Sequence, residues 1–135
     1  MEPSTTQASS HAPPVRVVTV DDQPLFREAA RAIVALMPGF EVVGESADGE
    51  SAIEIARRVD PDIVIVDVRM EGMDGIDTAL RLRSDDATRV VVLVSSADVR
   101  SLAPLAESCG AAAIVRKDWL NPHMLRGLWV AHRRR

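Results

Sequence analysis

The sequence predicts a doubly wound α/β fold, with a five-stranded parallel sheet in the order 2-1-3-4-5 and five covering helices. Short β-branched runs alternate with amphipathic segments from Val15 onward, a pattern typical of βαβ units. Three of the runs are nearly continuous in Val and Ile, as expected for strands that helices cover on both faces. Because strand–helix–strand connections are right-handed, five such strands favour the 2-1-3-4-5 order, and ligands would bind beyond their carboxyl ends.

The predicted strands are short runs rich in β-branched residues, bounded by polar or turn-forming residues. We expect the first, third and fourth strands to form the middle of the sheet. The five runs lie at 15–20, 40–45, 62–66, 89–94 and 111–115.

Capping residues mark most of the helices between these strands. Pro24 suits the first turn of helix one, and Pro38-Gly39 ends that helix. Asp48 and Asp74 are the predicted N-caps of helices two and three, and the Asn121-Pro pair caps helix five. In helix one, apolar residues recur at helical spacing at Leu25, Ala29, Ile33, Leu36 and Met37.

The fourth helix is predicted to be short, because Pro104 is tolerated only in a first turn. A helix that began near Asp98 would place this proline in its interior. We therefore expect Ser101 to be the N-cap, preceded by an irregular loop over residues 96–100.

Composition and charge indicate one globular domain of 135 residues, with 47% hydrophobic residues and a formal net charge of -4. This charge does not predict a protein that binds nucleic acid directly. Residues 1–14, rich in Ser, Thr, Pro and Ala, are predicted to be a disordered tail, and residues 15–135 a single domain. No targeting signal or long apolar stretch is visible, which predicts a soluble, cytoplasmic protein with no membrane insertion. The single cysteine, Cys109, excludes an internal disulfide.

Charged and polar residues stand at the carboxyl ends of the predicted strands. Asp21 and Asp22 follow the first strand and Asp67 follows the third, while Ser95 and Lys117 follow the fourth and fifth. In a parallel sheet these ends share one edge. Three adjacent carboxylates cannot all stay ionised without a cation, because like charges raise one another's pKa. Mg²⁺, which prefers oxygen ligands and retains several waters, suits such an incomplete cage.

This set of residues resembles the receiver domains of bacterial response regulators, which have the flavodoxin-like form of the doubly wound fold. The runs DDQPLFRE (21–28) and DVRMEGMDG (67–75) are similar to motifs of that family. Gly110 and the spacing between Ser95 and Lys117 also agree with the family pattern. The resemblance covers residues 15–132, nearly all of the predicted domain.

The resemblance implies a role for each of these residues. Asp67 would accept a phosphoryl group from a phosphohistidine on a sensor histidine kinase, or from a small phosphodonor. Lys117 and the hydroxyl of Ser95 would bind the phosphoryl oxygens. The domain would then be a switch that catalyses its own phosphorylation and dephosphorylation, and not a turnover enzyme. The implied Mg²⁺ ligands are the carboxylates of Asp21, Asp22 and Asp67 and the backbone carbonyl of Arg69.

The resemblance also implies partners: a sensor histidine kinase, a downstream protein target and, through helices four and five, a second copy of the chain. Only 18 residues follow Lys117, too few for an output domain. We therefore expect the readout to be a change in protein–protein interaction. The alternative is a truncated transcription factor, since regulators with a similar start often carry a DNA-binding domain.

Three departures from the family pattern keep another function open. Glu71 and Asp118 stand where proline is usual, and Ile114 stands where an aromatic residue is common. An atypical receiver that signals without phosphorylation is therefore an alternative. A phosphatase of the haloacid-dehalogenase class would need an aspartate in place of Arg69. A flavin-binding module would need a hydroxyl- and glycine-rich loop, and Asp21-Asp22 would repel its phosphate.

Overall fold

The computed structural model describes residues 12–133, and most of the predicted N-terminal tail lies outside this range. Within it, five parallel strands form one sheet in the order β2-β1-β3-β4-β5. The strands are β1 (Val15–Val20), β2 (Phe40–Ser46), β3 (Ile63–Asp67), β4 (Val90–Ser95) and β5 (Ala113–Arg116). The helices are α1 (Pro24–Ala35), α2 (Gly49–Val59), α3 (Gly75–Asp85), α4 (Ala103–Ser108) and α5 (Pro122–His132). The predicted fold class and strand order are confirmed.

Helices cover both faces of the sheet, as the apolar strand runs predict. Neighbouring strand residues point to opposite faces, so Val17 and Val18 belong to different buried clusters. One cluster joins the sheet to α1 and α5, and the other joins it to α2, α3 and α4. Every residue of β3 and β4 is buried. This rigid centre fixes the positions of the residues at the strand ends.

The buried face of α1 differs from the apolar row noted in the sequence. Phe26, Ala30 and Val34 are buried in α1, whereas Leu25 and Leu36 are 79% and 73% exposed. Two apolar rows run along this helix, and the sheet packs against the row that contains Phe26. Helical spacing alone does not distinguish the two rows.

The predicted caps are confirmed at three helices. Asp48 Oδ1 accepts a hydrogen bond from the Ser51 backbone N–H at 2.8 Å, which satisfies a free donor at the start of α2. Asp74 Oδ1 caps α3 in the same way, and Asn121 Oδ1 accepts from the Met124 N–H at 2.9 Å in α5. Among the described residues, no helix has the length and apolar character needed to cross a membrane.

The late start of α4 is confirmed, but the predicted cap at Ser101 is wrong. A 3₁₀ turn over Arg100–Leu102 precedes α4, and Pro104 lies in its first turn. The residue before the helix is Leu102, which makes no side-chain capping bond. The turn already holds the backbone in a right-handed helical conformation, whereas a capping serine would need an extended one.

Candidate functional site at the carboxyl edge of the sheet

Three carboxylates meet at the carboxyl edge of the sheet. Val20 pairs with Val66 on the neighbouring strand, so Asp21 and Asp67 occupy equivalent positions one residue further on. One oxygen from each of Asp21, Asp22 and Asp67 lies within 4.8 Å of the others. Asp21 is fully buried and Asp67 is 5% exposed, whereas Asp22 is exposed. The cluster therefore opens to solvent on the side of Asp22.

Lys117 supplies a positive charge to this cluster. Its Nζ lies 2.7 Å from Asp21 Oδ2 and 3.5 Å from Asp67 Oδ2. It also donates to Gln23 Oε1 at 3.1 Å and lies 5.0 Å from the centroid of the Phe26 ring. Sequence reasoning did not identify these two contacts from the start of α1. The only signal for Gln23 was its place directly after the acidic pair.

The backbone of β4 and of the segment after β3 places Ser95 and Arg69 beside the cluster. Asp67 pairs with Val94, so Ser95 stands one residue further along the adjacent strand. Its Oγ accepts a hydrogen bond from the Ala97 N–H at 3.1 Å. The Arg69 N–H donates to Asp67 Oδ1 at 3.2 Å. The roles predicted for Ser95 and for the Arg69 carbonyl stay predictions.

The three departures from the family pattern leave this geometry in place. The peptide bonds of the described residues are all trans, and Asp118 lies in a 3₁₀ turn directly after β5. Ile114 packs against one face of the core. Glu71 is exposed and does not belong to the carboxylate cluster.

The donor set fits a hard divalent cation. Its ligand atoms are all oxygens, and Lys117 is the one cation found within 4 Å of the cluster in the part of the chain described. Three carboxylates against one ammonium leave a negative charge that a divalent ion would balance. Asp21 Oδ2 is buried, and its one close polar partner found among the described residues is the Lys117 ammonium at 2.7 Å. Such an ion site agrees with the preference of Mg²⁺ for oxygen ligands and retained water.

The environment of Asp67 raises its pKa above the ordinary carboxyl value. Burial is the main cause, and the negative charge of Asp21 adds to it, while the Arg69 N–H and Lys117 act in the opposite direction. A raised pKa in the folded state means that the folded chain binds a proton more readily than the unfolded chain. This contribution to stability is present below the unfolded pKa and is lost as the pH rises through the folded pKa.

We therefore expect Asp67→Asn to stabilise the metal-free protein at neutral pH, by an amount on the order of 1 kcal/mol. The substitution removes a buried charge that Asp21 repels. Urea unfolding in the presence of EDTA, repeated from neutral to acidic pH, measures the effect. The difference in the free energy of unfolding between the variant and the wild type should shrink as the pH falls through the Asp67 pKa. It should change sign at neutral pH when saturating Mg²⁺ stabilises the wild type. A variant less stable than the wild type in EDTA would contradict the prediction.

The fold and the acidic site together define a receiver domain of two-component signalling, a signalling module and not a conventional enzyme. A family model described as the response regulator receiver domain matches residues 17–128. The chain therefore belongs to the response-regulator receiver family, as the motifs of the sequence predict.

Known proteins that are similar to this chain are also response regulators. The nitrate/nitrite response regulator protein NarP of Escherichia coli (strain K12) is 40% identical over 107 residues, which are 79% of this chain and 50% of NarP. The chain thus spans about half the length of the curated relatives it matches.

Two solved structures extend the comparison to the fold. The signal receiver domain of NarL from Mycobacterium tuberculosis superposes with a TM-score of 0.80 at 35% identity, over 90% of this chain and 98% of that one. A chain of the CheX-CheY-BeF3-Mg+2 complex from Borrelia burgdorferi gives a TM-score of 0.77 at 25% identity, over 88% and 89% of the two chains.

Proposed function

We propose that Asp67 accepts a phosphoryl group from the phosphohistidine of a sensor histidine kinase, and that this modification changes the affinity of the domain for a downstream protein. The observation that carries the proposal is the placement of Asp67 beside the buried Asp21, with the ammonium of Lys117 within 4 Å of both carboxylates. Receiver domains pair with histidine kinases and downstream partners, and the chain belongs to this family.

The chemistry is a transfer from nitrogen to oxygen. A carboxylate oxygen of Asp67 attacks phosphorus, the P–N bond breaks, and its electron pair returns to the imidazole, which leaves an acyl phosphate on Asp67. Lys117 neutralises part of the charge on the phosphoryl oxygens, which would otherwise repel the attacking carboxylate. It also holds the group in line.

Asp21, Asp22 and Asp67, with the backbone carbonyl of Arg69, are the proposed ligands of Mg²⁺. When bound, this ion would neutralise phosphoryl oxygens that Lys117 does not reach. The donor set described above supports the assignment, and a chain similar to this one was solved in a complex that contains BeF₃ and Mg²⁺.

Ser95 is the proposed sensor of the modification. Its Oγ accepts a hydrogen bond from the Ala97 N–H, and its own hydroxyl hydrogen remains able to donate to a phosphoryl oxygen. Such a hydrogen bond would pull the following segment, 96–102, toward the phosphoryl group. This segment contains no α-helix. The result is a shift between two arrangements of this segment and of α4.

Incubation with Mg²⁺ and acetyl phosphate, followed by intact mass measurement, tests the proposal. We expect the wild type to gain the mass of one phosphoryl group and Asp67→Asn to gain none. Asp77→Asn, an exposed aspartate of α3, is the matched control and should react like the wild type. The absence of an adduct on the wild type would favour the phosphorylation-independent receiver instead.

Other predictions belong to this proposal. They include self-association through α4 and α5, a cytoplasmic location and a readout through protein contacts. The matched residues make up only 50% of NarP, so its nitrate and nitrite response is not assigned to this protein. The alternative of a receiver that serves a DNA-binding domain is kept, since a relative of similar coverage is described as a probable transcriptional regulatory protein.

A further inference from the structure

An open groove of about 530 Å³ lies beside the acidic cluster, between α4 and the segment that joins β3 to α3. One wall comes from the residues directly after Asp67, and the other comes from the start of α4. The volume is in the range of sites that take a ligand or a few side chains of a partner. Three of its apolar lining residues are Ile76, Leu102 and Leu105, and its acidic ones are Asp22, Glu71 and Asp74.

The apolar wall is partly exposed and includes the start of the short helix α4. Pro104 delays the start of this helix to Ala103, so that α4 has six residues. Leu105, on its first turn, is 47% exposed, and Leu102 and Ile76 are half-buried. Adjacent apolar side chains in a concave surface are typical of binding sites for a partner.

The opposite wall is acidic. Glu71 and Asp74 are exposed, and neither belongs to an ion pair found within the described range. Arg69 is the one basic residue of the lining. Glu71 is not a member of the carboxylate cluster, and it lines the groove. A groove with an apolar wall and an acidic wall is complementary to a partner surface that is apolar and basic.

We infer that this groove binds an amphipathic, basic helix of the downstream protein. A helix presents apolar side chains at spacings of three and four residues to one groove, where they would contact Leu105, Leu102 and Ile76. Lysine or arginine side chains on its flank would pair with Glu71 and Asp74. The wall continues directly from Asp67, so a change at the phosphoacceptor would alter the groove, and binding would be linked to phosphorylation. This last step rests on the proposed function.

The direct test uses a synthetic 18-residue helical peptide of Leu and Lys, with Leu at helical spacing, titrated into the ¹⁵N-labelled, unphosphorylated chain. We expect amide shifts to cluster at residues 69–76 and 102–105. A peptide with Glu in place of each Lys should not bind. Leu105→Asp should weaken binding about ten-fold, since it removes one apolar contact. Glu71→Lys should weaken it about three-fold through charge reversal.

Leu80→Asp is the matched control, because Leu80 is also 47% exposed but lies on α3 outside the groove. It should leave the affinity for the Lys peptide unchanged. Equal losses from Leu80→Asp and Leu105→Asp, shifts confined to another surface such as Leu25 and Leu36, or no binding at millimolar peptide would each overturn the inference. Displacement of the Lys peptide from the groove at chain concentrations where the chain self-associates would assign the groove to a second copy and would overturn the inference too.

The two experiments distinguish a failure of the proposed phosphoacceptor function from a failure of the proposed groove. If acetyl phosphate produces no adduct while the Lys peptide still binds at the groove, the phosphoacceptor function fails and the interaction surface stands. If the adduct forms and the peptide does not bind at the groove, the surface fails and the function stands. If both hold, the phosphorylated chain should bind the peptide with an affinity that differs measurably from that of the unmodified chain.

Discussion

Lys117→Met should lower the free energy of unfolding by about 3 kcal/mol and slow the reaction with acetyl phosphate on the order of 100-fold. Both effects have one cause. The Lys117 ammonium lies 2.7 Å from a fully buried carboxylate, Asp21, and 3.5 Å from Asp67. Without it, two buried negative charges face each other, and the phosphoryl group meets an anionic site.

Denaturant unfolding in EDTA and the initial rate of adduct formation in Mg²⁺ measure the two effects. Arg116→Met is the matched control, since it removes the neighbouring cation, which pairs with the exposed Asp118 at 3.0 Å. It should leave the rate near that of the wild type. The double variant Lys117→Met with Asp21→Asn should recover most of the stability and none of the rate. A Lys117→Met protein that reacts at the wild-type rate would contradict the proposed role of the lysine.

The site could be predicted because it depends on strand ends. Strands one, three and four are nearly continuous apolar runs, and a shift in the register of such a run would move the charged or polar residue at its end into the apolar core. The residue after each run is then fixed at one edge of the sheet. Asp21 and Asp67 thus come together from sequences more than 40 residues apart. The helix caps were predictable for a similar reason, since each acts within four residues.

Features that depend on tertiary packing could not be predicted in the same way. The face of α1 that packs against the sheet contains Phe26 and not Leu25, because two apolar rows compete on one helix. The contacts of Lys117 with Gln23 and Phe26 join elements about 90 residues apart. Ser101 satisfies the sequence rule for a cap, yet the 3₁₀ turn before α4 removes the need for one.

Another such feature is the close approach of Gly75, the first residue of α3, to Asp67, the proposed phosphoacceptor. A Cβ atom at Gly75 would collide with the backbone carbonyl of Asp67 and would lie 2.7 Å from the Val68 Cα. The Gly75 N–H also donates to the Val68 carbonyl at 2.9 Å. Because these neighbours are backbone atoms at the end of a buried strand, they cannot rotate away as a side chain would.

Gly75→Ala should therefore lower the free energy of unfolding by about 3 kcal/mol, through overpacking. It should also displace the Asp67 carboxylate and slow its reaction with acetyl phosphate on the order of 100-fold. Urea unfolding and the initial rate of adduct formation measure the two effects. Because the variant has the same ionisable groups as the wild type, a loss of rate would reflect position and not charge.

Gly127→Ala is the matched control, since a Cβ atom at Gly127 in α5 would have no neighbour within 4 Å. It should raise the free energy of unfolding by about 0.5–1 kcal/mol, because alanine loses less backbone entropy than glycine in a helix. Its reaction rate should not change. If Gly75→Ala reacted at the rate of Gly127→Ala, the acyl-phosphate geometry would tolerate a displaced Asp67, and tight packing around Asp67 would not be a requirement of the proposed chemistry.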